Sequence, residues 1–271
     1  MLVWSVANQK GGVGKTTTTI ALGGLAAQAG LKVLMLDIDP HGSLTSYWGL
    51  NADYCTESTY NLFEHHKTLD KNTINKLIHK TNLENLFFIP ASTALATLER
   101  QAIGKDGLGL VISKTVKILE QGFDLILIDS PPILGVLMIN ALAACERLVI
   151  PVQTEHLAIK GLERMVHTLG MLSKSRKTPL EYTIVPTMFD RRTQASTTSL
   201  RLIKNQYPDH AWAGKISVDT RLRDASKAGV APHVFDPNGR AVSAYRSLLK
   251  FLLKVPDSQQ DSTEYLEQNV G

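Results

Sequence analysis

Residues Lys10 to Thr17 read Lys-Gly-Gly-Val-Gly-Lys-Thr-Thr, between an alternating, β-prone run at Leu2–Ala7 and an Ala/Leu-rich stretch from Lys15 to about Ala29 that Gly30 closes. Strand, glycine-rich turn and helix in that order leave the loop one main use. Glycines let successive N–H groups turn inward, and the nest they form lies at the positive end of a helix, where anions bind. Gly11, Gly12, Val13, Gly14, Lys15, Thr16 and Thr17 are therefore read as a cradle for the phosphates of a nucleoside triphosphate. Lys15 would reach the β/γ oxygens, and Thr16 would offer a hydroxyl to Mg²⁺.

The rest of the chain alternates apolar strand-like runs with helical stretches. Strands are expected at Leu2–Ala7, Lys32–Asp37, Leu86–Ile89, Phe123–Asp129, Arg147–Val152 and Glu181–Pro186. Helical periodicity marks Leu157–Ser173, Ser196–Gln206 and Ala241–Leu253, with weaker helices within 60–80 and 94–121. A near-continuous apolar run such as Leu125-Ile126-Leu127-Ile128 suits a parallel sheet covered on both faces. The fold class expected is α/β: a single doubly wound, mostly parallel sheet with helices on both faces. Ligands of such folds sit at the C-terminal ends of the strands.

At 271 residues and 44% hydrophobic the chain can build one sizeable core, so one domain over 1–255 is expected. Residues 256–271 carry four acidic and no basic side chains and are expected to be a disordered tail. The 29 basic and 21 acidic residues before that tail give a body of about +8, against +4 for the whole chain, which permits anionic partners. No run has membrane-spanning length and no cleavable leader is evident, so a cytoplasmic protein is expected. Cys55 and Cys145 are isolated, which suggests neither a disulfide framework nor a zinc site.

Acidic residues fall where such a sheet places its site. Asp129 ends the strand Leu125–Ile128, and after a phosphate loop an acid in that position is read as holding Mg²⁺, through water. Asp37 and Asp39 end the second strand, two residues apart and hence on one side of it.

The general phosphate-loop pattern has a glycine where this chain has Gln9, and a second lysine, Lys10, follows. The deviant form Lys-Gly-Gly-x-Gly-Lys-Thr resembles the ParA/MinD family of dimerising ATPases. The likeness extends over residues 2–253: Leu36-Asp37-Ile38-Asp39-Pro40, Ser130-Pro131-Pro132, Pro151-Val152-Gln153-Thr154-Glu155, Thr187 to Thr193 and Phe235-Asp236-Pro237 are similar to family segments in the same order. The resemblance implies an ATP-dependent homodimer in which Lys10 reaches the partner's nucleotide. It gives Asp39 the attacking water, Asp37 support of Mg²⁺, and Thr187, Met188, Val218 and Asp219 a place near the base. Where relatives carry Gln after the Pro, this chain has His41, read as a plain loop histidine.

Within the family, two isolated cysteines exclude the Fe–S carriers, and an acidic end excludes a MinD-like membrane helix, so no membrane partner is expected. Partition ATPases read Arg-Asn-x-Arg-Leu where this chain reads Val218-Asp219-Thr220-Arg221-Leu222, so DNA binding is expected to be weak. Arg191, Arg192, Arg201, Lys204, Arg221, Arg223 and Lys227 remain as a basic face. Asp-Pro-His-Gly-Ser, Ser-Thr-Ala-Leu-Ala-Thr-Leu-Glu-Arg-Gln and Thr-Gln-Ala-Ser look like the ParC branch, which positions chemotaxis machinery. That likeness implies a protein cargo at the cell pole, with a polar landmark protein and chemoreceptor-array components as partners.

Overall fold

A computed structural model describes residues 1–101, 107–173 and 178–254. The tail expected at 256–271, and part of the helix expected within 94–121, lie outside the described residues. In chain order the elements are β1 (Leu2–Val6), α1 (Lys15–Gln28), β2 (Val33–Asp37), α2 (Ser43–Tyr47), α3 (Thr59–Glu64), α4 (Lys71–Lys76), β3 (His79–Lys80) and β4 (Leu86–Ile89). Then come α5 (Ala94–Gln101), a 3₁₀ turn (Leu108–Leu110), α6 (Val111–Ile118), β5 (Leu125–Asp129), α7 (Val136–Ala144), β6 (Arg147–Gln153) and α8 (His156–Ser173). β7 (Glu181–Thr187), α9 (Gln194–Gln206), α10 (Thr220–Ala228), α11 (Pro232–Phe235) and α12 (Arg240–Leu253) complete the described chain.

The seven strands run in the order β3-β4-β2-β5-β1-β6-β7, parallel except for the β3–β4 pair. The α/β reading and its six strands hold. The short edge strand β3 was not foreseen, since two residues carry no period to read. Alternate side chains point to opposite faces, and β5 shows it: Leu125 and Leu127 pack in the layer that holds Ile20, Leu22 and Leu249, Ile126 and Ile128 in the layer that holds Ile112, Leu137 and Leu162. Trp4 and Val6 of β1 join the first layer and Val3 the second. Each such fully buried side chain stabilises the fold by about 1.5–3 kcal/mol.

Helices α2, α7, α10 and α11 went unread, and two of them did so for opposite reasons. α7, Val-Leu-Met-Ile-Asn-Ala-Leu-Ala-Ala, is apolar almost all round and shows no polar face against which a period could be counted. α10 buries Ala225 alone and stands on its ends, with the Asp219 side chain accepting from Arg221 N and Gly229 in the left-handed conformation at φ 64°. Among the described residues no helix is long and apolar enough to cross a membrane.

Parallel register places the site. Val6 of β1 pairs with Asp129 of β5, and Asp129 pairs with Asp37 of β2, so two carboxylates stand on neighbouring strands at the edge where the β1–α1 loop emerges. The chain after β1 leads to β2 on one side, while β6 and β7 lie on the other. A crevice opens at that reversal.

Candidate nucleotide and magnesium site

The loop between β1 and α1 is pinned from several sides. Asn8 Nδ2 donates to Pro151 O at 2.7 Å while Asn8 Oδ1 accepts from Lys10 N at 3.0 Å, and Thr187 Oγ1 donates to Val13 O at 2.9 Å. Gly12 and Gly14 take φ of 73° and 92°, the left-handed region in which a side chain is strained. Gly14 is also the N-cap of α1. Lys15 folds back over the loop, its Nζ donating to Lys10 O at 3.2 Å. Burial lowers its pKa, and the charges of Asp129 and Asp39 oppose that shift.

Thr16 Oγ1 donates to Asp129 Oδ2 at 2.7 Å, bringing together the hydroxyl and the carboxylate assigned to Mg²⁺. Asp129 is buried; burial first, and then the neighbouring Asp37 charge, push its carboxyl up to about 8. Burial pushes Asp37 up to about 7, although it accepts from Thr45 N at 2.8 Å, Thr45 Oγ1 at 2.6 Å and Asp39 N at 3.2 Å. Thr45 Oγ1 in turn accepts from Ala91 N at 2.7 Å, so Asp37 ties the start of α2 to the end of β4. Sequence reasoning missed Thr45, whose role rests on contacts with residues far along the chain.

Burial, with neighbouring acids and one lysine as the near counter-charge, leaves the Asp37 and Asp129 carboxyls above their ordinary range. A divalent cation relieves that excess, so the residues present fit Mg²⁺. Among the described residues no three Asp, Glu, His or Cys side chains converge as a cage. Mg²⁺ characteristically takes one or two protein groups and completes its shell with phosphates and water.

A cleft of about 550 Å³ is lined by Gly11, Gly12, Gly14, Lys15, Thr16 and Thr17 on one side and by Asp39, His41 and Tyr47 on the other. It adjoins a more apolar cavity of about 410 Å³ whose lining includes Val13, Thr187, Met188, Val218 and Asp219. All residues placed near a base by resemblance thus lie on one cavity. Leu222, Arg223, Ser226 and Tyr245 line it too and were not foreseen; Tyr245, from α12, meets Thr18 of α1 through their hydroxyls at 3.1 Å. Lys10 directly precedes the glycines that line the cleft, and its Nζ pairs with Glu155 of the same chain, just before α8. His41 is more than a loop residue: its Nδ1 and backbone N both meet Asp39 Oδ1, at 2.9 and 3.0 Å.

The basic face is partly spent on internal partners. Arg192 forks onto Asp190, and Arg221 lies 3.4 Å from Asp236 and over the Phe235 ring at 5.3 Å.

A family model described as an AAA domain matches residues 1–182. The chain is 34% identical over 247 residues to the sporulation initiation inhibitor protein Soj of Bacillus subtilis, covering 91% of this chain and 96% of that protein. The chain belongs to the ParA/MinD family of P-loop ATPases. The chromosome partitioning protein ParA of Myxococcus xanthus is a further relative of this family member, 30% identical, covering 92% of this chain and 87% of that protein. In three dimensions it resembles cobyrinic acid a,c-diamide synthase from Mycobacterium smegmatis with bound ATP analogue and magnesium, with a TM-score of 0.79 and 28% identity over 93% of this chain and 94% of that one.

Proposed function

We propose that this ParA/MinD-family chain is an ATP-dependent dimerising switch with slow, Mg²⁺-dependent hydrolysis, which positions a protein cargo at the cell pole in the manner of the ParC branch. The observation that carries the reading is the joint placement of a glycine nest, Lys15, Thr16–Asp129 and Asp39 around one cleft, with Lys10 at the start of the nest. The functional unit is one ATPase domain over residues 1–255.

The roles follow from position. The amides of Gly11 to Thr17 and the Lys15 ammonium bind and orient the phosphates, and the cavity at Thr187, Met188, Val218 and Asp219 receives the base. Thr16 and Asp129 hold Mg²⁺, the carboxylate through water, with Asp37 in support behind them; the bound ion neutralises phosphate charge. Asp39 orients the attacking water. Lys10, in the deviant phosphate loop, leaves Glu155 and reaches the nucleotide of a second copy. Dimerisation then presents a surface to cargo, and hydrolysis resets it.

Protein cargo is favoured over DNA because Asp219 is occupied as the cap of α10 and Arg221 is engaged by Asp236 and Phe235. Plasmid or chromosome partition is the second reading, supported by the printed functions of the Soj and ParA relatives. A phosphoryl-transferring metabolic enzyme is a third, since a solved neighbour carries the name of a synthase. The test is a fluorescent fusion in its own cell, with DNA binding of the ATP-loaded protein titrated against salt. A polar focus lost in Lys15→Gln, with no binding to non-specific duplex at about 0.15 M salt, supports protein cargo at the cytoplasmic pole, with a landmark protein or chemoreceptor-array components as partners. A nucleoid-wide distribution with salt-resistant DNA binding overturns it.

A further inference from the structure

The residue after Pro40 is held against the carboxylate assigned to water activation. His41 donates twice to Asp39, through its backbone N at 3.0 Å and its ring Nδ1 at 2.9 Å, and both bonds fall on the same oxygen, Oδ1. An ionised carboxylate can only accept, so Nδ1 carries the hydrogen and Nε2 is left bare or protonated. Among the described residues no donor is bonded to Asp39 Oδ2. Asp39 itself is 8% exposed, whereas the His41 side chain is 74% exposed and lines the phosphate cleft. One oxygen is thereby anchored and the other left to take a water.

We propose that His41 is a positioning residue for hydrolysis: its ring holds Asp39 Oδ1 so that Oδ2 serves the attacking water. The inference rests on the assignment of Asp39 made above. The bond from Nδ1 at 2.9 Å joins the backbone bond on the same oxygen in fixing the rotation of the carboxylate. The other titratable groups facing the cleft are Lys15 from α1 and Tyr47 from α2, with Asp37 and Asp129 behind them. The loop after β5 contributes Pro132 and α10 contributes Ser226, neither of which titrates.

Steady-state ATP hydrolysis by the full chain with Mg²⁺ at pH 8 tests this with two variants. His41→Ala removes the ring. His41→Asn places an amide N–H near the position of Nδ1 but cannot titrate. Loss of an exposed charge-assisted bond predicts that His41→Ala lowers kcat at pH 8 about fivefold while KM for ATP stays within about twofold. His41→Asn should recover kcat to within about twofold of wild type. Wild-type kcat in His41→Ala, or a His41→Asn variant no faster than His41→Ala, overturns the inference and leaves the ATPase assignment standing. A wild-type protein that binds Mg²⁺-ATP without turning it over at any pH overturns the ATPase assignment and this inference together.

Discussion

Replacing Thr45 by Val changes almost no volume but removes the hydroxyl on which the Asp37 network turns. Thr45 Oγ1 donates to Asp37 Oδ2 at 2.6 Å and accepts from Ala91 N at 2.7 Å, and Thr45, Asp37 and Ala91 are each fully buried. The backbone bond from Thr45 N to the same carboxylate oxygen survives the change. What is lost is one hydrogen bond to a charged group, about 1.5–3 kcal/mol, and the partner of a buried N–H, about 1–3 kcal/mol. Partial relaxation of the α2 turn should bring the total to about 3 kcal/mol. For a domain of this size that corresponds to a fall in melting temperature of about 6–12 °C. The measurement is a thermal melt of the nucleotide-free protein at pH 8, above the value of about 7 to which burial raises Asp37, so that the carboxylate is mostly ionised. Thr45→Ser, which keeps the hydroxyl, should recover most of the loss. A fall of less than about 2 °C in Thr45→Val would refute the view that the Asp37 carboxylate is a structural anchor of the second strand's end.

Two further outcomes follow from single contacts. Glu155 holds Lys10 within its own chain, so Glu155→Gln should ease release of the lysine and tighten ATP-dependent dimerisation about two- to fivefold, in keeping with a half-exposed pair; unchanged or weaker association in sedimentation equilibrium would show that the pair does not compete with dimerisation. His233 is buried against Gly24 with its Nδ1 unpartnered, and burial lowers its pKa to about 4. Between the ordinary value near 6.5 and about 4 the unfolded chain binds more protons than the folded one, so stability falls as pH falls through that window. After allowance for solvent screening the contribution is about 2 kcal/mol, seen as a shallower pH dependence of urea midpoints in His233→Leu than in wild type; parallel curves would refute it.

The parts legible in the sequence were those written in local pattern. The phosphate loop declared itself because Gly11, Gly12 and Gly14 sit between a strand and a helix, and Asp129 because four apolar residues precede it. Parallel register then explains what sequence alone left open: Asp37 and Asp129 are neighbours because β2 pairs directly with β5, although 91 residues lie between them in the chain. The illegible parts depend on distant packing. Tyr245 reaches the site only because α12 lies against α1, and Glu99 of α5 matters only because its carboxylate accepts from Leu137 N at the start of α7. Gly135 has a related cause, since a Cβ there would overlap that glutamate. His41 had a local cue that was passed over: an Asp two residues earlier can take both its backbone and its ring N–H.

The central claim is a nucleotide-switched dimer, and sedimentation velocity of Asp39→Ala tests it most directly. With Mg²⁺-ATP the variant should bind without turning over and sediment as a dimer, while the same protein without nucleotide, and the Lys10→Ala, Asp39→Ala double variant with Mg²⁺-ATP, should sediment as monomers. A monomer of Asp39→Ala at saturating Mg²⁺-ATP, or a double variant that dimerises as well as the single one, would contradict the account.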